Sequence, residues 1–389
     1  GPQGYLTLDA QCTYAWVLRW HGELDKALEL AKSAAIGLTN LKGEQDVRAM
    51  YATYNYASCL EELGRNEEAA TVLRTLLTVR NRVLGPTHID TLWTSLKLAV
   101  VSSEIGDAVQ SQKLYEDLIS KLNTRKNIPP SMMNGLAWTS AISPYARLRN
   151  GERAVALAIE ACEATHYENS NFVDTLAAAH TEAGNADAVV NWSRKVLELE
   201  PTSVAFHYDA ALRVLWSGKV DDYRDICALT AKHFDAATDE NTRFWVVWTC
   251  GLGPASVDDL SVILTDAQNL VRKQPTNFSY RDALGILLYR HGDFVKARKL
   301  LTESVAAYRN DPKAPSSPLY SQFFLAMSHW QLDRLGDARS LLTEAQVAMD
   351  AEMKSPLAWN RRLTYELFRR EAEALIQPAE TAENASSSL

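Results

Sequence analysis

The sequence predicts an all-α solenoid: about nine stacked helical hairpins followed by one more helix. Three observations predict it. A small residue, a turn residue seven positions later and another residue at the crossing five positions after that recur along the chain, the spacing of two antiparallel helices that approach closely. The turn residues fall near 22, 64, 106, 150, 184, 218, 258, 292 and 333, so successive intervals are 42, 42, 44, 34, 34, 40, 34 and 41. Both periods fit one hairpin per repeat, the longer adding about one turn of 3.6 residues to each helix. Finally, Pro follows the second helix at Pro86, Pro201, Pro275 and Pro312, where it ends one repeat before the next begins.

The elements follow in order. Ala15/Gly22/Ala27 mark the first hairpin, with Leu28, Leu30 and Ile36 at helical spacing on its second helix. Ala57/Gly64/Ala69 mark the second, with Val72, Leu73, Leu76 and Leu77, and Ala99/Gly106/Ser111 the third. Gly at each turn supplies the left-handed conformation that closes the first helix. Residues 124–130 read as a linker between an N-terminal block, 5–123, and a C-terminal block, 131–376. The fourth hairpin, turning near Asn150-Gly151, is degenerate because Pro144 shortens its first helix. Ala177/Gly184/Val189 and Ala211/Gly218/Tyr223 give the fifth and sixth. The seventh is interrupted by Cys250-Gly-Leu-Gly-Pro254, with its turn near Asp258. Gly285/Gly292/Ala297 and Ala326/Asp333/Ala338 complete the array. A helix around Trp359 to Ile376 is expected to cap the end, and the Ala-, Glu-, Ser- and Thr-rich tail 377–389 to be disordered.

Composition narrows the function. A net charge of −8 argues against binding that depends on neutralising phosphates, so no nucleic-acid partner is expected. No apolar run reaches the ~20 residues that span a bilayer, so no membrane partner is expected for this segment. The five Cys are widely spaced and form no CxxC, which points to small core residues in a reducing, cytoplasmic compartment. Gly1-Pro2 reads as the remnant of a cleaved tag, so the chain is expected to be an excised piece of a longer protein. None of the eight His lies in a nucleophile or metal motif; His21 and His291 stand before turn glycines. No catalytic residue, cofactor or metal is assigned.

These residues resemble tetratricopeptide repeats. Leu84-Gly-Pro-Thr-His-Ile-Asp-Thr-Leu92 with Leu98-Ala99 is similar to the LGPxHPxTL…NLA pattern of the 42-residue repeats of kinesin light chains, with Ile89 in place of the usual Pro. In the second block, Arg153-Ala-Val-Ala-Leu-Ala158, Asp174-Thr-Leu-Ala-Ala-Ala-His180, Asp282-Ala-Leu-Gly-Ile-Leu-Leu-Tyr-Arg-His-Gly-Asp293 and Phe323-Phe-Leu-Ala-Met-Ser-His-Trp-Gln-Leu332 resemble the repeats that follow the kinase domain in planctomycete-type bacterial serine/threonine kinases. The chain itself carries no Gly-rich phosphate loop, His-Arg-Asp catalytic loop or Asp-Phe-Gly motif.

The resemblance implies a right-handed superhelix whose first helices line a concave, ligand-binding face. Projected onto this sequence, that face carries Trp16, Arg19 and Trp20, then Tyr51, Tyr54 and Asn55, then Trp93 and Lys97. In the second block it carries Asn171, Asp174, Tyr208 and Trp216, followed by Trp245, Trp248, Asp282, Tyr289, Arg290, Tyr320 and Phe323. Aromatics interspersed with Asn, Asp and Arg suit an extended peptide, so the expected function is a non-catalytic scaffold for a protein or peptide, as a monomer or homodimer. The alternative is a ligand sensor whose repeats enclose a small molecule or short peptide. The basic clamp some such repeats use for a C-terminal Glu-Glu-Val-Asp peptide is incomplete: Asn55 and Lys97 are present without the full set.

Overall fold

The computed structural model describes residues 4–123, 127–311 and 317–377. Gly1-Pro2, part of the expected linker, Pro312 and nearly all of the expected tail lie outside the described residues. Among the described residues there are 19 α-helices and no strand. They are α1 (Tyr5–Trp20), α2 (Leu24–Lys42), α3 (Val47–Glu62), α4 (Asn66–Val83), α5 (Ile89–Glu104), α6 (Ala108–Asn123) and α7 (Pro130–Ile142). After a short 3-10 turn (Ala146–Leu148) come α8 (Gly151–Glu163), α9 (Ser170–Glu182), α10 (Ala186–Leu199), α11 (Val204–Trp216), α12 (Val220–His233), α13 (Glu240–Gly251) and α14 (Ser261–Lys273). The last five are α15 (Phe278–Arg290), α16 (Phe294–Asn310), α17 (Leu319–Gln331), α18 (Leu335–Glu352) and α19 (Trp359–Ile376).

The hairpins form where the spacing places them. Gly22, Gly64, Gly106, Gly184, Gly218 and Gly292 all have φ between 71° and 86°, the left-handed region that glycine enters without steric cost. Asp333 holds the same place at φ 56°. The crossing residues Ala15, Ala27, Ala57, Ala69, Ala177, Ala211, Ala326 and Ala338 are fully buried. Several helices start on a side-chain cap: Asp46, His88, Asn150, Asn169, Ser203, Asp239 and Asn277 each accept a backbone N–H of the first turn. His88, part of the sequence signature, is one of these caps.

The chain forms two compact units that divide within α7, between Leu136 and Ala137. In the first, Arg80 crosses between hairpins: it is buried, and its guanidinium donates to Asp90 O, Thr94 Oγ1 and Met50 O at 2.8–3.2 Å. In the second, the alternate helices α9, α11, α13, α15 and α17 pack on one another as well as on their hairpin partners. The helices α10, α12, α14, α16 and α18 lie outside them. This asymmetry curves the second unit and makes its first helices the inner face.

Both degenerate hairpins have a local cause. α7 ends at Ile142, two residues before Pro144, and Arg149 ties the turn by donating to Ser143 O at 2.8 Å. Next to the seventh hairpin, Tyr223 of α12 occupies a crossing position that holds Ala, Ser or Val in the other hairpins. Its ring fills the space left by Gly253, where a Cβ would lie 2.9 Å from Tyr223 Cε1. The Tyr223 hydroxyl donates to Thr249 O and accepts from Gly253 N, both at 2.9 Å, and so pins the interruption to the preceding hairpin.

The last helix does more than close the array. α19 packs on α17 and α18, where a cap belongs, but its first half continues across the inner face to α11 and α9. Arg362 reaches Glu182 and Arg370 lies over the Trp216 ring.

Candidate functional site

The inner face of the second unit holds a cavity of about 500 Å³. Tyr208 of α11, Phe244, Trp245 and Trp248 of α13, Ser279 and Asp282 of α15 and Tyr320 of α17 form its floor and one wall. The segment Pro356–Ala358, with Asn360 and Arg361, forms the other. Each floor residue is placed by the repeat: the residues lie on successive first helices, on the side of each turned inward.

The aromatic rings form a continuous wall rather than a cage. Tyr208 and Trp245 have centroids 4.9 Å apart, Trp245 and Phe244 5.4 Å, Phe244 and Trp248 6.0 Å, and Trp248 and Tyr320 5.1 Å. Such a surface takes up apolar or planar groups lying against it. Asp282 is buried beneath the cavity and accepts hydrogen bonds from Ser304 and Ser321 through Oδ1, at 2.6 and 2.5 Å, and from Tyr308 through Oδ2 at 2.7 Å. Burial pushes its carboxyl above the ordinary range, against the pull of these three donors. Asp282 therefore locks α15 to α16 and α17 and fixes the floor. Burial likewise raises the Tyr320 phenol to about 12, so it stays a neutral donor.

Beside the cavity, Arg213 is fully buried and ion-paired with Asp174, with Asp209 at 3.8 Å and the Trp359 ring 4.6 Å away. Two carboxylates share one guanidinium here. Asp209 is held up at about 7, chiefly by burial and further by the Asp174 charge, against the attraction of Arg213.

The residues projected from the sequence divide accordingly. Tyr208, Trp245, Trp248 and Tyr320 come together at the cavity, with Asp282 beneath them. Trp216 lies at the other side of α19, its ring 3.9 Å from the Arg370 guanidinium. Asp174 is taken up by Arg213, and Arg290 by Glu371 and by the carbonyls of Gly251 and Leu252 at 3.3 and 3.1 Å. Tyr289 is buried against Phe324, and Phe323 is wholly inside the core, so neither meets a partner at this face. Asn171 is exposed at the start of α9.

In the first unit, Trp16 and Trp20 form an exposed edge-to-face pair with centroids 5.9 Å apart. Arg19 is bidentate to Glu62, and Lys97 pairs with Glu61. Tyr51 is exposed under Arg48, Tyr54 is half-buried under Arg80, and Trp93 is half-buried against Gly135. Asn55 is buried and donates to Cys12 Sγ at 3.3 Å, which removes it from the surface.

Phe244, Leu357, Asn360 and Arg361 were not on the projected face. Phe244 lies one residue before a projected position, Asn360 and Arg361 belong to the helix that reads as a cap, and Leu357 precedes it. All five Cys are buried and unpaired. His207 is also buried, its ring nitrogens 2.8 Å from Thr230 Oγ1 and 3.0 Å from Pro201 O. Among the described residues no three His, Cys, Asp or Glu side chains are grouped to hold a metal ion, and no helix is long and apolar enough to cross a membrane.

Comparison with known proteins identifies the repeat. A tetratricopeptide-repeat family model matches residues 49–122, the span from α3 through most of α6. Residues 49–122 carry tetratricopeptide repeats. Among solved structures it is similar to a tetratricopeptide-repeat protein from Parabacteroides merdae at 11% identity and TM-score 0.47, covering 72% of this chain and 97% of that one. It is also similar to nearly identical tetratricopeptide-like repeats of a putative kinesin light chain from Podosopora anserina, at 14% identity and TM-score 0.33, covering 61% and 99%. A third is the C-terminal part of a repeat protein from Cytophaga hutchinsonii, at 15% identity and TM-score 0.40, covering 70% and 99%. No curated protein sequence matches the chain.

Proposed function

We propose that the chain is a non-catalytic interaction scaffold whose second unit binds a peptide or protein segment along its inner face. The aromatic cavity carries this reading. It joins rings from the first helices α11, α13 and α17 to polar groups at its rim, as a site must that grips side chains while hydrogen-bonding a backbone. The resemblance of the second block to the repeats of bacterial serine/threonine kinases supports a place in the regulatory region of a signalling protein.

The test is selection of peptides on the chain from a random display library, followed by affinity measurement. Trp245→Ala and Trp248→Ala are each expected to weaken a selected peptide about tenfold or more, as truncation of a desolvated aromatic anchor does. Val295→Ala, on the outer helix α16, should leave binding unchanged. Unaltered affinity in both Trp variants, with their helicity intact, refutes the reading.

A second reading, a sensor for a small molecule, is favoured by the cavity volume, which lies within the ~300–1,000 Å³ of small-molecule sites. A metabolite that raises the melting temperature of the chain but not of Trp248→Ala would support it over the first.

A further inference from the structure

We infer that the second unit carries a separate anion site: the smaller cavity beside α19 binds a small organic carboxylate, its charged end between Arg213 and Arg362 and its apolar body against Trp216. The inference goes beyond the peptide reading and does not depend on it.

This cavity has a volume of about 230 Å³. α19 contributes Trp359, Arg362 and Leu363 to it, and Asn360 and Arg361 to the aromatic cavity. Most of the wall is apolar: Ala141, Ile142, Ala178, Trp216 and Leu363. Two arginines, Arg213 and Arg362, and one carboxylate, Glu182, are set into it. The volume falls below the ~300–1,000 Å³ of sites for drug-sized molecules, which suits a small free acid rather than a length of peptide.

Both arginines hold an unpartnered donor. Arg213 is 1% exposed. Its two Nη atoms form a fork with Asp174, Asp209 lies 3.8 Å from Nη2, and the Trp359 ring lies 4.6 Å from the guanidinium. Its Nε has no partner. Arg362 Nη2 lies 3.5 Å from Glu182 Oε2, at the limit of a hydrogen bond, and its buried Nε also lacks a partner. A buried N–H of a charged group is strongly unfavourable when left unbonded. Two arginines with such donors, lining one cavity, point to an acceptor between them, and a carboxylate suits the planar donor edge of a guanidinium.

The local charge points the same way. Arg149 and Arg362 share Glu182, at 3.1 and 3.5 Å. Arg213 is paired with Asp174, and Asp209 retains its proton up to about 7. Arg370, over the Trp216 ring, is balanced by Glu366. The cluster therefore carries a net positive charge that one carboxylate offsets. A doubly charged phosphate would overshoot it, and the apolar walls favour an organic acid over an inorganic ion. A bound acid would bridge α11, through Arg213, to α19, through Arg362.

The test titrates benzoate, small enough for the cavity, into the full chain by isothermal titration calorimetry. Benzoate is expected to bind and to raise the melting temperature. Benzamide, which lacks the charge, and formate, which lacks the apolar body, should each bind at least about tenfold more weakly. Arg362→Gln should weaken benzoate binding about tenfold or more. If that variant loses its native circular dichroism, Ala178→Val is read instead; it narrows the cavity and keeps both cations, and a loss of about tenfold or more supports the site. No binding of benzoate, equal affinity for benzamide or formate, or unchanged affinity in the variant read overturns the inference. A loss in Trp248→Ala with none in Arg362→Gln places the acid in the aromatic cavity and overturns it too. Peptide binding is read at Trp245 and Trp248 instead, so failure of either reading leaves the other standing.

Discussion

Arg213 shows how much one buried side chain decides. Burial of its neighbour Asp209 outweighs the attraction of the guanidinium, and the Asp174 charge adds to it, so Asp209 retains its proton up to about pH 7. An unfolded Asp titrates near ~3.9. Between those values the folded state binds more protons than the unfolded one, so stability falls as pH rises from about 4 to about 7 and levels off above. Asp209→Asn imitates the protonated form. It should therefore leave stability unchanged near pH 4 and raise it at pH 8, seen as a higher melting temperature at pH 8 alone. Thermal melts of both chains across that range check the sign.

At the scale of the element, the turns were the most legible part of the sequence. Glycine at a left-handed position is forced by sterics, so its spacing carries directly into structure, and Asp333 could be placed by phase alone. The interruption after α13 was visible as a run of glycines, but its cause was not. Sequence shows that Tyr223 is too large for a crossing position; only the fold shows that Gly253 makes room for it. Tyr223→Phe keeps the ring and removes both hydrogen bonds of the hydroxyl. It should cost about 1–3 kcal/mol, the penalty for stranding the buried Gly253 N–H, read by chemical denaturation. Hydrogen exchange should accelerate at 250–256 before anywhere else.

The candidate site was half legible for a related reason. Tyr208, Trp245, Trp248 and Tyr320 follow from repeat phase, because each is fixed by its own hairpin. Phe323, Tyr289 and Asn55 have the right phase but lie too deep, since inner curvature brings neighbouring first helices together over them. The far wall escaped the sequence because α19 obeys no repeat: where it lies depends on tertiary contacts more than one hundred residues away, such as Arg362 with Glu182.

For the whole molecule, α19 is both a stabilising element and part of the site. Leu363, Tyr365, Phe368 and Ile376 are buried in the core of the second unit. At about 1.5–3 kcal/mol per side chain, their loss corresponds to roughly 6–12 kcal/mol as an upper bound. A chain ending at Ser355 should therefore exchange its amide hydrogens faster throughout α17 and α18, with α2–α4 unchanged.

The central claim is that the second unit holds its partner on the inner face. Site-specific photocrosslinking within the intact chain tests it most directly, with the same photoreactive residue placed at Trp245 on the inner face or at Val295 on the outer one. A selected peptide should crosslink at 245, compete with unlabelled peptide there, and fail to crosslink at 295. Equal crosslinking at both positions, or crosslinking at 295 alone, would contradict the account.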